Sequence, residues 1–330
     1  MCSLAQPIRP PLLKEVKMAI DTLYWEITGA CNQSCKHCHL EGPSEYSRIS
    51  KEEALSRIDK FHEKGVETLL LTGGEPLLNP NVYDMIKQAR HYGIDVALLT
   101  NGTLIDERRA ERLADADPST VQISIDGMKD YHESIRGQGA FGKLECAVRN
   151  LDTVSIRPLM KMTINKYNLD NVMGVIDYCS GRGLKVNFSL AQELGNAEGN
   201  SIMPTPEEYF RLFLKMYAKK NAENLGITLP DFSIEEYIET GVPKSGCSAG
   251  LRMAAITKDD YILPCVFMSG LGLNDSDGAL RYNATSLNTP GSLFDLFAGS
   301  NSSEFGCPLR KWQYGTDLYS VYEFARYMKK

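Results

Sequence analysis

No stretch of this sequence approaches the roughly 18 consecutive apolar residues that a membrane-spanning helix needs. The opening residues carry no secretory signal either, because Arg9, Lys14, Glu15 and Lys17 interrupt every apolar run. Basic runs are missing and the formal net charge is −6, which argues against a nucleic-acid partner. No low-complexity segment occurs, and no internal repeat beyond an alternation of strand-like and helix-like periods. With neither membrane nor export signals, the nine cysteines point to thiolate ligands in a reducing cytoplasm and not to disulfides. At 330 residues and 43% hydrophobic content, the chain buries one large core, or a core plus a small domain.

What the sequence does have is a cysteine cluster near its start. Cys31, Cys35 and Cys38 supply three thiols within eight residues, just after the strand-like run Leu23-Tyr24-Trp25-Glu26-Ile27-Thr28. A four-iron cubane normally takes four cysteines, so three leave one iron open to a small molecule. Two other readings compete. Cys35-Lys36-His37-Cys38-His39 contains C-x-x-C-H, a haem-attachment pattern whose chemistry needs export. A structural zinc site would want a fourth ligand, which only His37 or His39 offers locally.

A second motif, Gly73-Gly74-Glu75-Pro76, follows the apolar run Thr68-Leu69-Leu70-Leu71 and begins 35 residues after Cys38. Two glycines and a proline at a strand end mark a tight turn where backbone approaches something closely. Alone this reads as an ordinary strand-to-helix turn. Together, C-x-x-x-C-x-x-C and GGEP in this order resemble the radical S-adenosylmethionine (SAM) superfamily. The resemblance implies a [4Fe–4S] cluster on Cys31, Cys35 and Cys38 whose open iron binds the amino and carboxylate groups of SAM. It further implies reductive cleavage to a 5'-deoxyadenosyl radical, with the 73–76 turn and Glu75 contacting the SAM amino group. His37 stands where relatives usually carry an aromatic near the adenine, a departure that imidazole tolerates. His39 reads as a surface or second-layer residue.

Periodicity predicts a capped helix opened by Ser50-x-x-Glu53 and running to about residue 62. Strands follow over 68–72, 95–100, 120–125, 156–164 and 185–190, with helices over 81–92, 106–114, 141–152 and 171–182. Six strands separated by helices describe a parallel α/β sheet, and the resemblance makes it a partial (β/α)6 TIM-like barrel. Active sites of such barrels gather at the C-terminal ends of strands, which nominates Asn101, Ser124, Asp126 and Thr163, with Lys161 and Asn165 beside them. Arg136 lies twelve residues after Ser124 in His132-Glu133-Ser134-Ile135-Arg136-Gly137. The pair resembles the S-x-D-G…H-x-x-x-R-G segment of peptide-modifying radical SAM enzymes, which places Ser124 and Arg136 near the SAM carboxylate. An arginine fork suits a carboxylate, although a solvated surface arginine is the plainer reading.

The C-terminal third predicts a hairpin, with Met253–Thr257 and Tyr261–Cys265 flanking the turn Lys258-Asp259-Asp260. Cys247, Cys265 and the later Cys307 resemble the auxiliary-cluster domains called SPASM and its short form, twitch, although the usual turn glycine is replaced by Asp260-Tyr261. A full SPASM domain carries a dense run of later cysteines that is missing here, so the resemblance implies one auxiliary [4Fe–4S] cluster. Buried apolar cysteines are the alternative. Cys146 and Cys179 read as core residues and Cys2 as a terminal thiol.

The expected organisation is an extension over 1–22, a radical SAM core over 23–200, bridging helices over 201–246 and a small C-terminal auxiliary cluster domain over 247–330. In the bridge, Thr205 caps a helix whose first position is Pro206. Residues 269–291 read as an excursion over the active site or an idle loop. The resemblance points to a ribosomally made peptide or protein as substrate, modified by crosslinking, epimerisation or oxidation. The region before the first strand is too short for a peptide-recognition domain, so a separate recognition protein or direct binding is expected. A reductant such as flavodoxin or ferredoxin is the other partner. A small-molecule substrate in cofactor or natural-product biosynthesis is the alternative, and a non-catalytic iron–sulfur or zinc scaffold a remote one.

Overall fold

A computed structural model describes residues 20–40, 42–43, 49–223, 225–228, 252–263, 265–271, 282–283 and 287. Its centre is a run of βα units. Strand β1 (Thr22–Glu26) leads through the cysteine loop into helix α1 (Lys51–Glu63), followed by β2 (Thr68–Thr72), α2 (Val82–His91), β3 (Asp95–Thr100) and α3 (Glu107–Ala116). Then come β4 (Thr120–Ser124), α4 (Lys129–Arg136), α5 (Ala140–Thr153), β5 (Leu159–Ile164), α6 (Val172–Ser180) and β6 (Lys185–Leu190). Helix α7 (Pro206–Glu223) and strands β7 (Ile227–Thr228), β8 (Met253–Ile256), β9 (Tyr261–Leu263) and β10 (Tyr282–Asn283) complete the described elements.

The ten described strands form one sheet in the order β10-β9-β8-β1-β2-β3-β4-β5-β6-β7. Strands β1 to β6 are parallel and in sequence order, each joined to the next through a helical crossover. The expected partial barrel is present. Two additions lie beyond the six strands: β7 extends the β6 edge, and the β8–β9 hairpin, with β10 on its outer side, joins β1, with Met253 opposite Thr22 and Ile256 opposite Trp25. The hairpin therefore continues the core sheet.

Strands β2 to β6 place a buried residue at every second position, with a more exposed one between, the pleat period of two. The buried set (Leu69 and Leu71, Met160 and Met162, Val186 and Phe188) packs under the helices in one continuous apolar core. Trp25 meets Phe61 of α1 edge-on at 5.2 Å. The half-buried set is more polar and faces the barrel interior, with Ser124, Lys161 and Asn187 side by side in register across β4, β5 and β6.

Local chemistry sets the helix starts. Ser50 Oγ accepts from Glu53 N at 3.1 Å, whereas the Glu53 carboxylate turns to Arg57 at 2.8 Å and leaves the capping box half-made. At α7 the box is complete: Thr205 Oγ1 accepts from Glu208 N at 3.2 Å, and Glu208 accepts from Thr205 N at 2.8 Å. Strand β5 begins at Leu159 and not at residue 156, because Pro158 has no N–H to give a ladder. Helix α4 was not expected from the sequence. It is an eight-residue helix without a side-chain cap, and only His132, Glu133 and Ile135 are buried.

Two further expectations meet the structure directly. Cys179 is buried, as read, but Cys146 is exposed on α5 and accepts from Arg149 Nη2 at 3.0 Å. The buried stripe of α5 is Ala140, Phe141, Leu144, Ala147 and Leu151, and Cys146 falls on the opposite side of the 3.6-residue turn. Asp260, where the hairpin turn lacks its usual glycine, has φ +63°. Aspartate tolerates this left-handed conformation, and here its carboxylate also binds Arg57 Nη1 at 2.6 Å and Nη2 at 2.9 Å. Among the described residues no helix is long and apolar enough to cross a membrane.

Candidate cluster and cofactor site

The three cysteines lie on the loop leaving the C-terminal end of β1, all of them half-buried. The loop is held from four sides. Gly74 N and Glu75 N donate to Thr28 O and Ala30 O at 2.8 and 2.7 Å. Asn101 Nδ2 donates to Asn32 Oδ1 at 2.9 Å. Lys36 N reaches Ile135 O of α4 at 3.3 Å, and Asn196 Nδ2 reaches Cys35 O at 3.4 Å. The loop is thereby tied to the turns that follow β2 and β3, to the end of α4 and to the segment after β6, all on the side of the sheet where barrel chemistry gathers.

The glycine pair has a steric cause. A Cβ on Gly73, whose φ is +121°, would lie 2.2 Å from Thr28 O, and one on Gly74 would lie 2.2 Å from Ala30 O. The close approach foreseen for this turn is thus to the backbone that enters the cysteine loop. Glu75 is fully buried, and its carboxylate accepts from Leu77 N (3.0 Å), Thr100 Oγ1 (2.7 Å) and Asn101 N (2.8 Å). Burial pushes the Glu75 carboxyl above the usual carboxylate range, against the pull of those donors. Glu75 braces the β2 and β3 ends, and Pro76 opens a single helical turn beside it. Asn101 spends its amide on Asn32 and Thr103.

Asp126 is the hub on the other side. It is fully buried, and its carboxylate accepts from Arg136 Nε at 2.5 Å and Thr163 N at 3.2 Å, with His37 Nε2 at 3.3 Å. Its own N–H donates to His132 Nδ1 at 3.2 Å, and its carbonyl accepts from Asn168 Nδ2 at 3.1 Å. Burial alone would raise the Asp126 carboxyl; Arg136, His37 and His132 outweigh it and hold it down at about 2. Arg136, for which a solvated surface position is the plainer reading, has its side chain nine-tenths buried. Its Nη1 lies 3.8 Å from Cys35 Sγ. Burial opposes its charge, and Asp126 with the cysteines more than restores it, so the guanidinium stays protonated. Ser124 lies half-buried at the end of β4, opposite Lys161. Asn165 is buried in the turn after β5, and its side chain accepts from Tyr167 N at 3.0 Å.

Three features escaped the sequence reading. Glu26, an acid at the end of an apolar strand, is buried and accepts from Ser269 Oγ at 2.7 Å and Lys258 N at 3.1 Å. His39 Nε2 stands 3.8 Å from the same carboxylate, and its ring meets Phe267 edge-on at 5.4 Å. This links the cysteine loop to the segment carrying Cys265, which is buried. The burial of His132 in α4, a residue quoted in the arginine motif without a role, and the Asn32–Thr103 contact are the others; that motif and the lone acid in Tyr24-Trp25-Glu26-Ile27 were the visible signals. Cys247 and Cys307 lie outside the described residues, as does most of 269–291.

The donor set suits an iron–sulfur cluster. Burial pushes the Cys38 thiol up to about 11 and raises Cys31 and Cys35 as well, so these sulfurs become thiolates when a metal takes them. Cys31 Sγ already accepts an N–H from Gln33 at 3.4 Å. No three His, Cys, Asp or Glu side chains among the described residues converge on a single-ion site. A cubane does not ask for that convergence, since each of its ligands binds a different iron.

A family model described as "Radical SAM superfamily" matches residues 25–192. Among curated proteins, the chain is 30% identical over 288 residues to an AdoMet-dependent heme synthase of Nitratidesulfovibrio vulgaris, covering 78% of this chain and 77% of that one. It is 29% identical over 246 residues to the sporulation killing factor maturation protein SkfB of Bacillus subtilis, covering 73% of this chain and 58% of that one, less than two thirds of its length. Among solved structures, Streptococcus suis SuiB bound to precursor peptide SuiA superposes with a TM-score of 0.71 at 16% identity, over 88% of this chain and 69% of that one.

Proposed function

Because the chain belongs to the radical SAM superfamily, we propose that it uses SAM to abstract a hydrogen atom from a ribosomally made peptide or protein, leaving it crosslinked, epimerised or oxidised. The observation that carries the site assignment is the tie between the Cys31–Cys38 loop and the Gly73–Gly74 turn, which leaves no room for a side chain at either glycine. Cys31, Cys35 and Cys38 are assigned to the [4Fe–4S] cluster. When bound, that cluster supplies one electron that cleaves SAM to methionine and a 5'-deoxyadenosyl radical.

This chain's own residues do the rest. The 73–76 turn and Glu75 shape the rim beside the loop, and Asn101 fastens the loop to the end of β3. Ser124, Thr163 and Lys161 line the interior that receives SAM and substrate. Asp126 holds Arg136 and His37 in place. Cys265, with Cys247 and Cys307, is assigned to an auxiliary twitch-type [4Fe–4S] cluster that accepts an electron or holds substrate. The Glu26–Ser269 contact seats that segment on β1. A low-potential protein such as flavodoxin or ferredoxin is the proposed reductant.

SkfB, a maturation protein by name, and the fold shared with peptide-bound SuiB support the peptide reading. A second reading, a small-molecule substrate of the porphyrin class, is favoured by the heme synthase relative, which this chain covers more fully than it covers SkfB. The two are separated by incubating the reduced, reconstituted enzyme and SAM with deuterated candidates of each class. Deuterium in 5'-deoxyadenosine from a peptide supports the first reading, and deuterium from an iron porphyrin replaces it with the second. In the presence of the true substrate, Cys265→Ala is expected to spare SAM cleavage and lose product. Unchanged product yield would remove the auxiliary cluster from the account.

A further inference from the structure

Arg136 does more than pair with Asp126. We propose that it is a positioning residue for the cluster itself: its guanidinium donates a hydrogen bond to Cys35 Sγ and raises the cluster's reduction potential. The inference rests on the assignment of Cys31, Cys35 and Cys38 to a [4Fe–4S] cluster, and it goes beyond a role for Arg136 toward the SAM carboxylate.

The geometry has two parts. First, the guanidinium is fixed. Arg136 Nε is clamped at 2.5 Å by Asp126 Oδ2, and Asp126 is itself fully buried and anchored through Thr163 N, His132 and Asn168. The fork is planar and rigid, so clamping one side aims the other. That other side, Nη1, points at Cys35 Sγ from 3.8 Å. Second, the cysteine loop is fixed to the same helix end. Lys36 N donates to Ile135 O at 3.3 Å, so the residue after Cys35 is held by the residue before Arg136. Donor and sulfur are each tied to the same place, and the contact does not depend on a long, free side chain.

The chemistry follows from charge. The tuned step is the entry of one electron from an external reductant into the cluster, with no bond made or broken and no proton moved. Each electron added to a site with three thiolate ligands increases its negative charge. A nearby cation and an N–H directed at a ligating sulfur stabilise the reduced state more than the oxidised one, and cluster potentials are set by such charge, hydrogen-bond and solvent effects. Because the side chain is buried, the effect is little screened by salt. Asp126 partly offsets the charge, so the hydrogen bond carries more of the effect than the net charge does.

The test is an EPR-monitored potentiometric titration of the reconstituted protein without SAM, comparing wild type with Arg136→Met and Arg136→Lys. Leaving SAM out separates this role from any contact with its carboxylate. The expected result is a midpoint moved to more negative potential in Arg136→Met, and moved less in Arg136→Lys, which keeps the charge and loses the fork. An unchanged midpoint in Arg136→Met at wild-type iron content overturns the proposal. Should Arg136→Met not hold its irons, Arg136→Lys decides: a negative shift together with a raised Fe–S stretching frequency in resonance Raman supports the hydrogen bond. If both quantities are unchanged, the bond is refuted. Absence of a cluster from wild type would instead refute the cluster assignment.

Discussion

Removing either charge of the Asp126–Arg136 pair should be costly, and removing both should cost less than the two losses added. Asp126 is fully buried and Arg136 is nine-tenths buried. In Asp126→Asn, shape and one acceptor are kept, but the guanidinium is left without its counter-charge, at a cost of ~3 kcal/mol. Arg136→Met leaves a buried carboxylate with only Thr163 N–H and His37 for support, at a cost of ~4 kcal/mol. The double variant leaves no orphaned charge but still weakens the contacts of residue 126 to Thr163 N and His37, so its cost should be ~3 kcal/mol and the coupling ~4 kcal/mol. For a chain of this size ~2 °C of Tm corresponds to 1 kcal/mol. Anaerobic thermal melts at matched iron content should therefore show losses of ~6 and ~8 °C for the single variants and ~6 °C for the double. A double variant that loses the sum, ~14 °C, would refute the coupling and with it the view of Asp126 as the hub of the site.

Burial, with Arg136 beside it, holds His132 down at about 4 against an ordinary 6.5, so its neutral form is favoured by folding. The stability this contributes is complete above pH 6.5 and is lost as pH falls toward 4, ~3 kcal/mol in all. His132→Asn should flatten that limb in a urea-denaturation series across pH, and parallel curves for the two proteins would contradict it. Gly74→Ala puts a methyl 2.2 Å from Ala30 O and should displace the cysteine loop, lowering bound iron in the reconstituted protein; wild-type iron content and Tm would show that the turn is not held as described. Asp260→Asn keeps the residue's tolerance of positive φ but loses the ion pair to Arg57. Because Asp260 is half-exposed, the cost should be only ~1 kcal/mol by denaturant midpoint, and a loss several times larger would mean that the hairpin depends on Arg57 far more than exposure allows.

Much of the core was legible because it is written in short-range chemistry. Thr68-Leu69-Leu70-Leu71 and the Ser50 and Thr205 caps declare a strand and two helix starts without reference to the rest of the chain. The cysteine and glycine motifs lie within the span that the family model covers. What was not legible depends on distant partners. Nothing near Met253 says that it pairs with Thr22, and nothing near Glu26 says that Ser269 completes its hydrogen bonds. Helix α4 escaped because eight mostly polar residues carry little periodicity, yet it delivers Arg136 and His132. The glycines were read correctly as marking close approach, but what they approach is the neighbouring backbone, which only the fold reveals. Cys146 shows the reverse error: a cysteine inside an apolar-looking run lies on the exposed side once the helical phase is set.

The most direct test of the central claim is anaerobic reconstitution of wild type and Cys35→Ala with iron and sulfide, followed by dithionite and SAM in the same tube. The account predicts about four irons on the N-terminal motif, or about eight with an auxiliary cluster, and 5'-deoxyadenosine from wild type but not from Cys35→Ala. Equal 5'-deoxyadenosine from the two proteins, or none from wild type carrying its irons, would contradict the assignment of this loop to radical SAM chemistry.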